Sequence, residues 1–284
     1  MAKYNSLMEH YNASFASITA EMELIKEKYS SFMTKSNEMV AMSKEELREG
    51  DRMRKTVKAF TDTGIERYYE NGFDFLPTPI ITAGAPNEFK MFRWGGFFPF
   101  IKNGEVDAKA RLSTLNCRSE EMYVTRSYRD AAEKGQRCLI PVSGFMEWQW
   151  KDEKGKEKWP YLIQVQEQPL VSLAGLYTRW KMPGSNDFFY SYTVLTTQAN
   201  SLMADIHNSP VNGKRMPVII PKAFEQDWLN KDLTKEDVLA FCEEPVSSDD
   251  MKAHTISKLI TAKGVDTNVA EVLHLHEYEK VNSK

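Results

Sequence analysis

Downstream of Pro77 the chain reads as short apolar runs broken by turn residues. The runs are PIITAG, KMFRWGGFFPF, RCLIP, GFMEWQW, YLIQV, LVSLAGLY, FYSYTVLTT and RMPVIIP. They are rich in β-branched and aromatic residues and short enough to be strands. Pro-Gly-Ser-Asn at 183–186 and Asn-Gly at 212–213 predict turns between them. Lys-Asp-Glu-Lys-Gly-Lys, between Trp148 and Pro160, predicts a hairpin tip. Helices are predicted around Tyr128 to Lys134, Phe224 to Asn230 and Lys235 to Glu243. Residues 7–60 contain no Pro and few Gly, which predicts a helical N-terminal region. There, Met22, Leu24, Ile25 and Tyr29 form one apolar stripe, and Ser43 with Glu46 has the spacing of a capping box. The sum is an α+β fold: a curved, mostly antiparallel, β-barrel-like core with surrounding helices. No internal repeat or Gly-, Ser- or Pro-rich linker divides the chain, so a single domain over residues 1–284 is expected.

Composition narrows the classes. Hydrophobic residues make up 42% of the chain and charged residues 27%, which is ordinary for a soluble globular protein. The net charge of -3 excludes a basic field over the whole molecule, so nucleic-acid binding would need a local patch. Cys117, Cys138 and Cys242 are odd in number and form no CxxC pair, which argues against a disulfide framework or a zinc site. That suits a reducing cytoplasm. No apolar run reaches the length of a membrane span, and no basic region followed by an apolar core predicts a signal peptide.

Three segments concentrate reactive groups. LNCRSEE carries Asn116, Arg118 and Glu120; GFMEW carries Glu147; ADIHNSPVNGKRMPVII carries His207 and Arg215. In a strand, Phe145, Glu147 and Gln149 share one face, and Met146, Trp148 and Trp150 the other. Glu147 is then either an ordinary solvated carboxylate or a cleft carboxyl whose pKa rises toward working pH. The plainer alternatives for the others are a turn residue at Asn116, a surface ion pair of Arg118 with Glu120, a packed histidine at His207, and a strand edge at Arg215. No phosphate loop and no HxxxH pair is present. Residue chemistry alone stops at an enzyme or binding protein with a Glu/His/Arg/Asn cleft.

Taken in order, LNCRSEE, SYRDAAEKGQRCLIPVSGFMEW, LAGLYTRW, TVLTTQAN and MADIHNSPVNGKRMPVIIP resemble the SOS response-associated peptidase (SRAP) family of abasic-site processing proteins. RWGGFFPF is similar to that family's Trp-Gly element. The resemblance covers roughly residues 65–262, with a weak echo at Asn5 to Leu7. It implies a single SRAP-type domain with a basic groove for single-stranded DNA. It implies a reaction with the ring-opened aldehyde of an abasic site, through the α-amine and thiol of an N-terminal cysteine, as part of the DNA damage response. It also implies autoproteolytic, peptidase-type processing of the N-terminus, and neither a cofactor nor a metal. By the same resemblance Asn116 holds the N-terminal residue and the sugar remnant, Glu147 shuttles protons, and His207 helps open the sugar. Arg118, Arg129 and Arg215 contact DNA, and Trp94 flanks the groove. A cytoplasmic monomer is expected.

The departure is at position 2, where Ala2 stands in place of the expected cysteine. Thiazolidine formation needs amine and thiol on one residue, which none of the three internal cysteines offers. A deliberate substitution, an altered chain start and natural divergence would each account for Ala2. An α-amine there still permits a reversible imine and lyase-like β-elimination. The alternative is a non-covalent module that binds single-stranded DNA or a protein.

Overall fold

Strands β1 (Pro77–Thr82) and β2 (Ala85–Trp94) form the first hairpin of the computed structural model, which describes residues 67–279 apart from 98–100, 103–104, 183, 185 and 212. The chain continues through the short pair β3 (Ile101–Lys102) and β4 (Glu105–Val106), helix α1 (Ala108–Ser113), β5 (Asn116–Arg118) and α2 (Arg129–Glu133). Next come β6 (Arg137–Val142), β7 (Phe145–Trp150), β8 (Lys158–Val165), β9 (Val171–Lys181) and β10 (Phe188–Gln198). Helix α3 (Ser201–Ile206), β11 (Arg215–Pro217), β12 (Ile219–Ile220), α4 (Glu225–Leu229), α5 (Lys235–Glu243) and β13 (Met251–Thr255) complete it. The predicted N-terminal helical region, with its Ser43 and Glu46 pattern, and position 2 lie outside the described residues.

β9 is the strand around which the core is built. Its first six residues, VSLAGL, are all buried, because both faces are covered. β9 pairs with β6 on one edge and β10 on the other, β6 pairs with β1, and β2 lies against β10. The path β10-β2-β1-β6-β9 therefore closes on itself as a barrel. The barrel is mixed rather than antiparallel throughout: β2 and β5 both run parallel to β10. Gly175 sits where strands crowd; a Cβ there would lie 2.6 Å from Ile140 Cδ1 and 2.7 Å from the Thr193 carbonyl.

Period-2 alternation sends opposite faces of these strands into two cores. Leu139, Ala174, Leu176 and Leu195 pack with Trp228, Val238 and Cys242 under α4 and α5. Cys138, Ile140, Leu173 and Val194 pack with Ile163, Met203 and Met251. Arg137 is buried, and its guanidinium donates to the Trp228 carbonyl at 2.9 Å and to that of Asn230. Those are carbonyls at the end of α4, where a cation meets the negative end of the helix. Trp228 Nε1 returns a bond of 3.0 Å to the Cys138 carbonyl. A capping box starts α5: Thr234 Oγ1 accepts from Asp237 N at 3.2 Å while the Asp237 carboxylate accepts from Thr234 N at 2.9 Å.

The second sheet has the order β13-β8-β7, which leaves β7 as an edge strand. The predicted hairpin tip joins β7 to β8, with Trp148 opposite Pro160. The three helices predicted in this half of the chain are present as α2, α4 and α5. Helices α1 and α3 were not predicted, although each carries a cap: Asp107 accepts from Ala110 N and Asn200 from Met203 N, both at 2.9 Å. Strand β13 was also not predicted. The Asn-Gly at 212–213 does not join two strands; it falls between α3 and β11.

Trp228→Ala removes a fully buried indole and its hydrogen bond to the Cys138 carbonyl. The expected loss is about 3–5 kcal/mol of unfolding free energy, read from urea denaturation with an unchanged slope.

Candidate functional site

The site forms along the open edge of β7. Pairing with β8 uses the backbone groups of alternate residues only, so those of Trp148 and Trp150 face outward. The Trp148 N–H meets the Glu147 carboxylate at 3.4 Å, and the Trp150 N–H meets Asn208 Oδ1 at 2.8 Å. Glu147 thus lies at an unpaired strand edge facing the segment that follows α3. Phe145 packs into the core shared with the barrel, while Met146 and Trp148 pack against Ile256 and Val272, as the alternation requires.

His207 caps the end of α3, with its N–H donating to the Met203 carbonyl at 2.7 Å. Its ring Nδ1 lies 2.9 Å from the Arg215 carbonyl. A carbonyl only accepts, so Nδ1 carries the proton, and in the neutral ring Nε2 is the acceptor. Nε2 lies 4.0 Å from Glu147 Oε2, with side-chain exposures of 20% for His207 and 28% for Glu147. Burial pushes the Glu147 carboxyl above the ordinary carboxylate range; the His207 ring and the Trp148 N–H pull the other way. The cleft reading of Glu147 is the one this geometry favours.

After His207 the chain turns back on itself. The Lys214 N–H donates to the His207 carbonyl at 2.6 Å, and Lys214 takes a positive φ of 62°. A Cβ on Gly213 would lie 2.1 Å from the Ser209 carbonyl, so only glycine fits this return. The return therefore places Arg215 beside His207 despite the residues between them.

Asn116 and Arg118 are exposed on β5, with Cys117 buried between them. β5 flanks β10, where Thr196 sits between Arg118 on one side and Pro217 of β11 on the other. The Arg215 guanidinium grips Glu120 through two bonds, at 2.5 and 2.8 Å, and donates to the Thr196 carbonyl at 2.7 Å. That grip holds the Glu120 carboxyl below its usual range. Glu120 is thus the partner of Arg215, not of Arg118, because the chain turns into a 3-10 helix after Arg118 and carries Glu120 across. Arg118 meets Glu121 at 3.3 Å instead.

The structure brings together Glu147, His207 and Arg215, and links Arg215 through β10 to Asn116 and Arg118. Trp94 is near this end: its indole N–H donates to the Leu115 carbonyl at 2.7 Å, one residue before Asn116, and its ring stacks on Tyr192. Arg129 stands apart on α2, exposed and 3.4 Å from Asp130. Cys117, Cys138 and Cys242 are all buried, and burial raises each thiol, so none is a ready nucleophile. Among the described residues no group of three His, Cys, Asp or Glu is placed to hold a metal, and no helix is long and apolar enough to cross a membrane. Sequence reasoning missed Gln149 and Asn208 as site residues; their only signal is the edge position of β7, which is a property of the sheet.

The raised Glu147 carboxyl has a consequence for stability. An acid that binds its proton more tightly in the fold loses stability as pH rises through its folded pKa. Glu147→Gln should therefore stabilise the protein at about pH 7, with the gain vanishing below the unfolded value of roughly 4.3. Urea unfolding of both proteins at the two ends of that window checks this; an equal difference at both ends removes the desolvation argument.

Comparison with known proteins identifies the family. The family model described as SOS response associated peptidase (SRAP) matches residues 11–263, beginning well upstream of the motifs. The chain is 34% identical over 215 residues to the abasic site processing protein YoqW of Bacillus subtilis (strain 168), covering 74% of this chain and 89% of that protein. It is 32% identical to YoaM of the same organism, covering 72% and 85% of the two chains. The abasic site processing protein HMCES of Xenopus tropicalis is 32% identical over 145 residues, 45% of this chain and 40% of that one. Among solved structures, a Bacteroides thetaiotaomicron protein superposes with a TM-score of 0.67 at 30% identity, covering 78% of this chain and 90% of its own. A Bordetella bronchiseptica protein gives 0.55 at 27% identity, covering 64% and 85%. This chain belongs to the SRAP family.

Proposed function

We propose that this protein processes abasic sites in single-stranded DNA as a monomer in the cytoplasm. The observation that carries the proposal is the Glu147–His207 pair: a carboxyl raised by burial, 4.0 Å from a histidine whose free nitrogen faces it. Imine chemistry needs such a proton donor. An amine adds to the abasic aldehyde to give a carbinolamine; the carboxyl protonates its hydroxyl, water leaves, and the C=N bond forms. The same carboxyl, now ionised, takes the proton back when water reverses the step. His207 serves sugar opening through Nε2, and Asn116, exposed on β5, orients the remnant. The support from known proteins is that relatives covering most of this chain are named abasic site processing proteins.

In this reading the amine is that of the residue at position 2, which is Ala2. It carries no thiol, so the adduct stays a reversible imine that also permits β-elimination, and stable ring closure is lost. N-terminal self-processing is the peptidase activity this reading retains. Arg118 and Arg129 supply phosphate contacts; their exposed carboxylate partners contribute little and exchange readily for phosphate. Arg215 acts chiefly through its backbone carbonyl, which accepts from the His207 ring, since its guanidinium is already engaged by Glu120 and Thr196. Trp94 supports β5 beside the groove.

The test is a denaturing gel of this chain and Ala2→Cys with single-stranded DNA bearing one abasic site, with and without borohydride. The parent is expected to give a shifted band only with reductant, and Ala2→Cys one without it. Glu147→Gln should slow trapping by about 10²- to 10⁴-fold while leaving DNA affinity nearly unchanged. Affinity should fall as salt rises, because phosphate contacts release counterions. Salt-dependent DNA binding with no shifted band from either chain would instead establish a non-covalent binding module.

A further inference from the structure

β7 is an edge strand, and an edge strand must satisfy its outward backbone groups from something other than a neighbouring strand. At Trp150 one side chain does this. Asn208 Oδ1 accepts from the Trp150 N–H at 2.8 Å, and Asn208 Nδ2 donates to the Trp150 carbonyl at 3.0 Å. A planar amide offers donor and acceptor together, as a paired strand residue would; a carboxylate or a hydroxyl does not match both.

The place of this clamp gives it meaning. Asn208 directly follows His207, whose ring is tied to the Arg215 carbonyl. Trp150 lies three residues beyond Glu147, about 10 Å along a stiff strand. One brace lies between them: Gln149 Nε2 donates to the Asp205 carbonyl at 3.0 Å, and Tyr161 holds the other end of that amide at 3.1 Å. Beyond Trp150 the two elements part around an open cavity of about 410 Å³, lined by Lys151, Asp152, Asn208 and Pro210. Asn208 is therefore the last tie before the seam opens.

We propose that Asn208 is a positioning residue that sets the separation of Glu147 and His207 by pinning β7 to the segment after α3. At 4.0 Å the pair sits at the limit of direct contact, so a shift of about 1 Å uncouples it. Asn208 itself is exposed and outside the core, so its removal leaves the fold intact. The groups facing the Glu147 carboxyl are His207 across the seam and the Trp148 N–H on its own strand. Loosening the seam admits water to this carboxyl and relieves its burial.

The inference rests on the proposed function for its kinetic arm but not for its structural arm. In DNA-free protein, carbon-detected NMR follows the Glu147 carboxyl. Asn208→Ala should move its titration midpoint down toward the ordinary carboxylate range with the thermal midpoint nearly unchanged. With abasic single-stranded DNA, Asn208→Ala should slow borohydride trapping on the order of 10- to 100-fold at unchanged DNA affinity, and cause no further loss in a Glu147→Gln background. An unmoved Glu147 titration, or an equal loss of rate with and without Glu147, overturns the positioning role. If wild-type protein traps no DNA, the proposed function fails, and the titration alone decides the role of Asn208.

Discussion

The structure depends on the backbone of β10 having partners on both edges through its buried middle, from Ser191 to Thr196. Its first half closes the barrel between β9 and β2; its second half carries β5 on one side and β11 on the other. A strand buried from Ser191 to Leu195 cannot leave those groups to water. The parallel segments β2 and β5 are the solution, and they put the Trp94 and Asn116 regions side by side. β11, held at the other edge, delivers the carbonyl of Arg215 to His207. The candidate site is thus a by-product of completing one strand's hydrogen bonds.

Arg215 shows how the same residue serves fold and chemistry through different atoms. Its guanidinium is consumed by Glu120 and the Thr196 carbonyl, and its Nε is buried without a partner among the described residues. A bidentate grip of this kind holds β11 to the 3-10 helix that follows β5. Its carbonyl then fixes the tautomer of His207 and so decides which ring nitrogen faces Glu147. Polar chemistry at the site is set by backbone atoms as much as by side chains. That is why residue-type patterns reveal it poorly.

Much was nonetheless legible. The strands from β6 to β10 announce themselves by continuous apolar runs, and α5 by a cap and an apolar i, i+4 pair, Val238 and Cys242. Glu147, flanked by Met146 and Trp148, could be singled out as a carboxyl in apolar company. Helices α1 and α3 are not legible from periodicity, and length is not the reason, since α2 and α4 are shorter at five residues each. Strand alternation would set Glu120 beside Arg118, but the chain turns into a 3-10 helix after Arg118 and Glu120 meets Arg215 instead.

By itself the sequence determined the α+β class, the apolar strand runs of the core, the family through its ordered motifs, and Glu147 and His207 as candidate titratable groups. These follow from local periodicity and residue chemistry. Only the tertiary structure decided that β7 lies at a sheet edge, that its outward groups meet Asn208, and that the chain turns back after His207 to set Arg215 against it. The Trp150–Asn208 contact joins residues 58 apart, and the Arg215–His207 contact depends on how β11 is held against β10. Their geometry comes from sheet order and hydrogen-bond completion, which no local pattern of hydrophobic and polar residues encodes.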